Sequence, residues 1–314
     1  MNQKDVLVLS DDIGESSGFA VNGRLITWAL DHVTSVANAS LQADHERTEH
    51  VHGRELDVYP CRNVQNGRDA MGKQRMKQLL QATNPDYVVS VLDPHMDQYL
   101  IDYKQPRKAQ VVLREAGKRV DPQQVHANLD TFLKHGITDP SFEIISHIPL
   151  DTTPVPPAWD TYLKGVDYPV AMSQFAQTRF REDMGIELPV VTHGVDYRDV
   201  RIEPTGSFRV GTVNRNQYRK QLPRLIRAWG EFYEMVDRPD DVEFYIHANP
   251  NDEMGWPLDK YLNKYGIKDA TKQYEGTVSR ERLMQLYNSF DVFCSSTGGE
   301  GFGLTTVEAM SQET

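Results

Sequence analysis

The stretch Asp291–Gln312, DVFCSSTGGEGFGLTTVEAMSQ, decides the fold, because a glycine-bearing loop joins a short apolar run to a helix. Asp291–Cys294 predicts a buried strand, and a helix is expected to open near Leu304. Glycines let the backbone of such a loop approach a ligand closely. The helix N-terminus behind the loop has free N–H groups and about half a positive charge. The stretch therefore predicts a phosphate site at a strand-to-helix turn.

Two carboxylates flank this anion site: Glu300 lies in the loop and Glu308 lies one turn into the helix, with seven residues between them. Neither carboxylate is expected to hold phosphate, because like charges repel. Carboxylates suit hydroxyl groups instead. The stretch thus predicts a ligand with phosphates in its middle and hydroxyls at both ends, as in a nucleotide-sugar. The alternative is an ordinary strand-to-helix loop, built on four glycines and carrying two solvated acids.

The segment Glu-Gly-Phe-Gly-Leu at 300–304, followed by Glu-Ala-Met at 308–310, resembles the E-x7-E signature of retaining GT-B glycosyltransferases, particularly those of family 4. The resemblance implies an α/β fold with two Rossmann-like domains facing across a cleft. Carried over by position, Glu300 would touch the donor sugar near the reacting centre, and Glu308 would bind the nucleotide ribose. The residues between them that would line the donor site are Gly301, Phe302, Gly303 and Leu304.

A basic turn follows the apolar run Phe208–Val213, which predicts the first strand of the second domain. Arg215 and Lys220 in this turn resemble the family's Arg-x4-Lys pattern, whose two cations hold the donor diphosphate, and Arg219 is a third candidate. Fixed cations stabilise the negative charge that builds on a leaving phosphate, which lowers the barrier to glycosyl transfer. Arg can grip phosphate oxygens through two donors, whereas Lys acts as a point charge. The alternative is a solvated basic face.

The first half of the chain begins with Val6–Leu9, an unbroken apolar run typical of a strand buried on both faces of a parallel sheet. The resemblance places Gly18, in the loop that follows, near the donor phosphate and the acceptor. His147, in His-Ile-Pro at 147–149, is similar to the histidine that borders the donor sugar in trehalose-phosphate-synthase-like GT-B enzymes. Asp93 resembles an acid of that group that contacts acceptor or sugar. The alternative for all three is a structural role at a strand end or turn.

Three other segments bear on the domain organisation. Residues 44–70 are rich in His, Arg, Glu and Asp, but their spacing fits no zinc site, so a solvated loop or short strands is expected. Residues 99–140 predict a strand at 111–113 and a helix at 123–135, as an elaboration of the first domain. Thr-His-Gly-Val-Asp at 192–196 resembles the family's inter-domain junction. The predicted domains are therefore 1–200 and 207–314.

Length and charge limit the classes of function that this chain can have. A chain of 314 residues is long enough for two domains, and a net charge of -11 argues against nonspecific binding to duplex nucleic acid. Cys61 and Cys294 offer no disulfide framework, which favours a reduced cytoplasmic setting. Met1–Ser10 lacks the layout of a signal peptide, and no apolar run approaches membrane-spanning length. Peripheral association with a membrane surface stays open.

The chain stops at Thr314, whereas the family continues with a Gly-x-Pro turn, further strands and a last helix. A C-terminal domain of this length is expected to be incomplete. Its sheet would then have an unpaired edge, which is a surface open to a partner or to self-association.

These features predict a retaining glycosyltransferase that moves a sugar from a nucleotide-diphosphate donor to an unidentified acceptor. The nucleotide-sugar is the co-substrate, and the resemblance implies neither a cofactor nor a bound metal. One alternative is a non-catalytic nucleotide-sugar-binding subunit that requires a partner to complete its C-terminal domain. A further alternative is another GT-B activity, such as 2-epimerisation or phosphorolysis, and the absence of a recognisable pyridoxal-phosphate lysine motif argues against the latter.

Overall fold

A computed structural model describes residues 1–61, 72–104, 142–195, 197, 200–203, 206–274 and 276–314. These residues divide into two units, Met1–Gly194 and Val195–Thr314. The sequence predicts a boundary near residue 200. Both units are α/β, as the sequence predicts. The strand predicted at 111–113 and the helix predicted at 123–135 lie outside the described residues.

In the described residues, the first unit has a seven-stranded sheet with the order β3-β4-β2-β1-β5-β6-β7. All neighbouring strands are parallel except β3 and β4, which are antiparallel. The strands are β1 (Val6–Ser10), β2 (Val36–Ser40), β3 (Arg47–Val51), β4 (Arg54–Pro60), β5 (Tyr87–Ser90), β6 (Glu143–Ile148) and β7 (Tyr168–Ala171). The described helices of this unit are α1 (Gly18–Leu30), α2 (Lys73–Thr83), α3 (Pro94–Asp97), α4 (Tyr99–Lys104), α5 (Trp159–Gly165) and α6 (Gln174–Met184).

The centre of this sheet explains which strands the sequence predicts and which it misses. β1 is buried at every residue and lies between β2 and β5, as expected for an unbroken apolar run. β2 is also buried throughout, yet it contains Asn38. The Asn38 amide donates to the Val8 carbonyl oxygen at 3.0 Å and to Ser10 Oγ at 2.7 Å, so a polar residue is satisfied inside the sheet. In the segment 44–70, the described residues form the short strands β3 and β4 rather than a solvated loop.

The part of the second unit that the structure describes has a four-stranded parallel sheet with the order β10-β9-β8-β11. Its strands are β8 (Phe208–Val213), β9 (Val242–His247), β10 (Thr271–Tyr274) and β11 (Val292–Phe293). Its described helices are α7 (Leu222–Met235), α8 (Leu258–Lys264), α9 (Arg280–Asn288) and α10 (Leu304–Ser311), and a 3-10 turn covers Tyr218–Lys220. Among the described residues, β11 pairs with β8 on one side only.

The core of the second unit lies between α7 and the sheet. Trp229 on α7 stacks on Phe244 of β9 with ring centroids 5.0 Å apart. On the other side of the sheet, the Phe290 ring packs directly on Gly211 of β8, where an added Cβ would lie 2.3 Å from the ring. The strand predicted at Asp291–Cys294 is shorter than expected, because only Val292–Phe293 is strand, and Cys294 is half-buried rather than buried. Burial still raises the pKa of the Cys294 thiol.

None of the helices in the described part of the chain has both the length and the apolar character needed to cross a membrane. The same residues contain no group of three or more His, Cys, Asp or Glu side chains arranged to hold a metal ion.

Candidate functional site

The 3-10 turn Tyr218–Lys220 and the loop after β11 are joined by hydrogen bonds in the second unit. The Gly298 amide donates to the Arg219 carbonyl oxygen at 2.7 Å, and Ser296 Oγ donates to the Lys220 carbonyl oxygen at 2.9 Å. In return, Arg219 Nη1 donates to the Gly299 carbonyl oxygen at 2.7 Å. An added Cβ at Gly298 would lie 2.6 Å from Gln221 Nε2, so a side chain at this position would displace the Gln221 amide. These hydrogen bonds therefore hold the turn and the loop together.

Glu300 is the electrostatic centre of this junction. One of its oxygens accepts a hydrogen bond from Lys220 Nζ, and the other accepts one of 3.0 Å from Arg219 Nη1. Burial alone would raise the pKa of Glu300, but the hydrogen bonds and charges of Lys220 and Arg219 lower it below its ordinary value. Lys220 itself is buried, with 7% of its surface exposed. Glu300 is consequently ionised at neutral pH and is fixed between two cations.

The helix α10 begins directly behind Glu300, as the sequence predicts. Gly303 precedes it with φ of 86°, a left-handed conformation that favours glycine. Gly301 and Phe302 are half-buried in the segment that connects Glu300 to this helix start. Leu304 and Thr305 are the first two residues of α10. The Thr306 amide, which follows them, donates to the Gly303 carbonyl oxygen at 3.0 Å. The helix tip thus presents N–H groups beside the Glu300 cluster.

Glu308 lies on α10 in a second, more deeply buried cluster. It is 2% exposed, and its two oxygens accept hydrogen bonds from Arg280 Nη1 and, at 2.9 Å, from the Tyr287 hydroxyl. Burial, reinforced by the Glu308 charge, raises the pKa of Tyr287 well above its ordinary value. Neither partner is predicted from the sequence. Arg280 and Tyr287 are spaced along an amphipathic helix, and nothing in that local pattern shows which residue they contact 28 and 21 positions away.

Arg215 is placed apart from the Glu300 cluster. Its Nε donates to Asp252 Oδ2 at 2.9 Å, and this bond is the first cause of the lowered pKa of Asp252. Asp252 also accepts the Met254 amide at 3.0 Å, so the contact holds the loop after β9. The guanidinium side chain stays 66% exposed. The structure therefore brings Arg219, the third candidate, to the same carboxylate as Lys220, whereas Arg215 contacts a different acid.

His147 is engaged within the first unit. It is 4% exposed near the end of β6, where Nε2–H donates to the Val191 carbonyl oxygen at 2.6 Å and Nδ1 accepts from Asn22 Nδ2 at 3.0 Å. Burial lowers the pKa of His147, and the bond to Val191 only partly opposes that effect. The ring is therefore neutral, with both nitrogens hydrogen-bonded to the protein. Its assignment to the donor sugar stays a prediction.

Asp93 and Gly18 occupy helix starts in the same unit. Asp93 precedes Pro94 at the N-terminus of α3, and Gly18 is the first residue of α1. The Ser17 hydroxyl accepts the Ala20 amide at 3.1 Å and donates to Asp11 Oδ2 at 2.5 Å, so an acidic side chain lies at the first turn of α1. The donor and acceptor contacts assigned to Asp93 and Gly18 stay predictions.

Residues 196–314 match the family model described as Glycosyl transferases group 1, a span that includes nearly all of the second unit. Solved glycosyltransferase structures resemble the whole chain. The fold is GT-B. No curated protein sequence matches this chain.

Three of the structural relatives illustrate this likeness. The lipopolysaccharide outer core galactosyltransferase WaaB, in its apo form, is 15% identical with a TM-score of 0.56, and the match covers 99% of this chain and 78% of that one. Anabaena Alr3699/HepE in complex with UDP-glucose is 15% identical with a TM-score of 0.60, over 99% and 79% of the two chains. The trehalose 6-phosphate synthase from Burkholderia multivorans is 11% identical with a TM-score of 0.61, over 99% and 81%.

Proposed function

We propose that this GT-B protein is a retaining glycosyltransferase, which moves a sugar from a nucleotide-diphosphate donor to an acceptor. The observation that carries the proposal is the junction in the second unit, where Lys220, Arg219 and the tip of α10 converge on Glu300. This junction lies inside the span that matches the glycosyl transferases group 1 model.

The charges at this junction suit a diphosphate. Lys220 and Arg219 carry two positive charges against the single negative charge of Glu300, and the start of α10 adds about half a positive charge. Turn and loop are already bonded to each other, so the cations need little reorganisation when negative charge develops. Such preorganised cations stabilise the leaving nucleoside diphosphate as the glycosidic bond breaks. We assign the diphosphate to Lys220 and Arg219, and keep Arg215 as a further candidate because its side chain is largely exposed.

The two glutamates are assigned to hydroxyl groups of the donor. An ionised carboxylate has about four lone-pair sites, so Glu300 keeps acceptor capacity beyond Lys220 and Arg219, and Glu308 keeps capacity beyond Arg280 and Tyr287. In the proposal Glu300 accepts hydrogen bonds from the sugar and Glu308 accepts them from the ribose. The leaving phosphate accepts the proton of the acceptor hydroxyl, and His147, Asp93 and Gly18 stay candidates for sugar and acceptor contacts.

The Anabaena relative is a complex with UDP-glucose, which makes UDP and UDP-glucose the first probes for this chain. A metal-independent reaction is part of the proposal, because protein cations take the place of a divalent ion at the diphosphate. Turnover should therefore persist in EDTA, and its complete loss on chelation contradicts this part of the proposal. A cytoplasmic setting also remains part of the proposal, on the grounds of cysteine usage.

Isothermal titration with UDP, followed by GDP and ADP, tests the donor site. Lys220→Ala should weaken affinity for the preferred nucleotide by about 1.5–3 kcal/mol, the range for a lost charge-assisted hydrogen bond. Lys260→Ala, which removes an exposed lysine from α8 of the same unit, is the matched control and should change nothing. Unchanged affinity in Lys220→Ala removes this residue from the site.

Donor-hydrolysis and transfer assays then separate an enzyme from a binding protein. Turnover of a bound UDP-sugar, with retained anomeric configuration in the product, supports the transferase. Binding with no turnover toward any candidate acceptor favours the alternative of a nucleotide-sugar-binding subunit.

A further inference from the structure

An open cavity of about 370 Å³ lies on the first unit, within the range of small-molecule sites. It is lined by Thr153, Gln174, Phe175, Thr178 and Arg179. Thr153 follows β6, and the other four residues lie along the first six positions of α6, which follows β7. β6 and β7 are parallel neighbours, so the cavity is at the carboxyl edge of the sheet, where ligands of α/β proteins bind.

The lining combines an exposed aromatic ring with neutral polar groups. Phe175 is 48% exposed, so a large apolar face is left in contact with solvent at the cavity. Two hydroxyls and one side-chain amide surround it, from Thr153, Thr178 and Gln174. Each of these groups can both donate and accept hydrogen bonds, as the hydroxyls of a sugar also do. An apolar face flanked by such groups matches a pyranose, which has C–H groups on its faces and hydroxyls around its edge.

The charge of the cavity argues for a neutral ligand. Among the described residues, Arg179 is the only charged one in the lining. Its guanidinium is hydrogen-bonded to Glu182 and lies 3.6 Å from Asp183 Oδ1. Asp183 is itself fixed, because its Oδ2 accepts the Val155 amide at 3.0 Å. Two carboxylates therefore neutralise the single cation, so the lining side chains offer a phosphate or carboxylate group no uncompensated positive charge. The start of α6 adds only the partial positive charge of a helix N-terminus, and Ser173 Oγ already accepts its Ala176 amide at 3.1 Å.

We propose that this cavity is a binding subsite for an uncharged hexose unit of the acceptor, with Phe175 as the stacking platform. The inference rests on the proposed glycosyltransferase function and extends it, since it names a neutral carbohydrate as the acceptor class. The same chemistry disfavours a sugar phosphate as the acceptor at this position.

Saturation-transfer NMR and titration on the full chain, without nucleotide, test the subsite. The probes are maltose, cellobiose and lactose, compared with glucose 6-phosphate and inorganic phosphate. We expect at least one disaccharide to bind with a millimolar Kd, and neither phosphate-bearing probe to bind more tightly than the best disaccharide. Phe175→Ala should weaken that binding at least tenfold, Phe175→Tyr should retain it because the ring is kept, and Thr178→Val should weaken it several-fold.

Tyr168→Ala is the matched control, because Tyr168 is also 48% exposed in the first unit but does not line the cavity. It should leave disaccharide affinity unchanged. The inference is overturned if no disaccharide binds, if Phe175→Ala binds as the parent does, or if glucose 6-phosphate binds more tightly than every disaccharide. The proposed glycosyltransferase function is tested separately, by UDP affinity in the parent and in Lys220→Ala. Failure of the hexose subsite is therefore distinguishable from failure of the proposed function.

Discussion

Replacing Asp97 by asparagine should stabilise the first unit at neutral and alkaline pH. Asp97 is fully buried at the end of α3, with 0% of its surface exposed. Its Oδ2 accepts a hydrogen bond of 2.9 Å from the Tyr162 hydroxyl, which lies 2.8 Å from Ser146 Oγ. Burial raises the pKa of Asp97 from 3.8 to about 7. The hydrogen bonds from Ser90 and Tyr162 lower this pKa, but their effect is smaller than that of burial. The folded protein therefore holds a carboxyl that ionises near neutrality.

The sign and size of the effect follow from this pKa. Because the pKa is higher in the folded state, that state binds the proton more tightly, and the free energy of unfolding falls as pH rises from about 4 to about 7. A rise from 3.8 to about 7 corresponds to about 4 kcal/mol, at 1.36 kcal/mol for each pKa unit. Asparagine is neutral at every pH, and its amide oxygen can still accept from Tyr162. The Asp97→Asn variant should gain up to about 4 kcal/mol at pH 8 and only about 1 kcal/mol at pH 4.5.

Urea denaturation of parent and variant between pH 4.5 and 8.5 measures this difference. Hydrogen exchange in peptides from β1 and β5 assigns the change to the first unit, since those strands are in its core. Asp160→Asn is the control, because Asp160 forms an exposed ion pair with Lys164 that should contribute only about 0.3–0.5 kcal/mol. A stability gain that is the same at every pH, or a variant that is less stable than the parent at pH 8, would refute the reasoning.

Three further predictions concern the second unit. Glu300→Gln should cut turnover much more than UDP affinity, because Lys220 remains in place for the diphosphate; equal losses in steady-state kinetics and calorimetry contradict the division of roles. Gly211→Ala should lower the free energy of unfolding by about 1–3 kcal/mol, since the added Cβ would lie 2.3 Å from the Phe290 ring, and an unchanged urea midpoint contradicts the close packing. Gly303→Ala should destabilise by roughly 1–2 kcal/mol through its φ of 86°, and a variant as stable as the parent in thermal unfolding contradicts a strained helix start.

Local patterns in the sequence were sufficient for several of the elements. β1 and β8 lie where they are predicted, and α10 begins at Leu304 as expected. These predictions succeed because strand burial and helix boundaries depend on residues a few positions apart. β2 was missed because Asn38 makes this segment too polar for a central strand. The Asn38 amide finds its hydrogen-bond acceptors, Val8 and Ser10, only when β1 packs beside β2.

The sequence by itself determined the fold class, the first strand of each unit, and the glycine-bearing helix start beside Glu300. Only the tertiary structure decided which side chains meet. Lys220 and Glu300 are 80 residues apart, and Asn22 and His147 are 125 residues apart, so no local pattern connects either pair. The same holds for the raised pKa of Asp97, whose cause is burial by the folded chain. Local conformation is encoded in neighbouring residues, whereas contact partners and desolvation arise only when distant segments pack together.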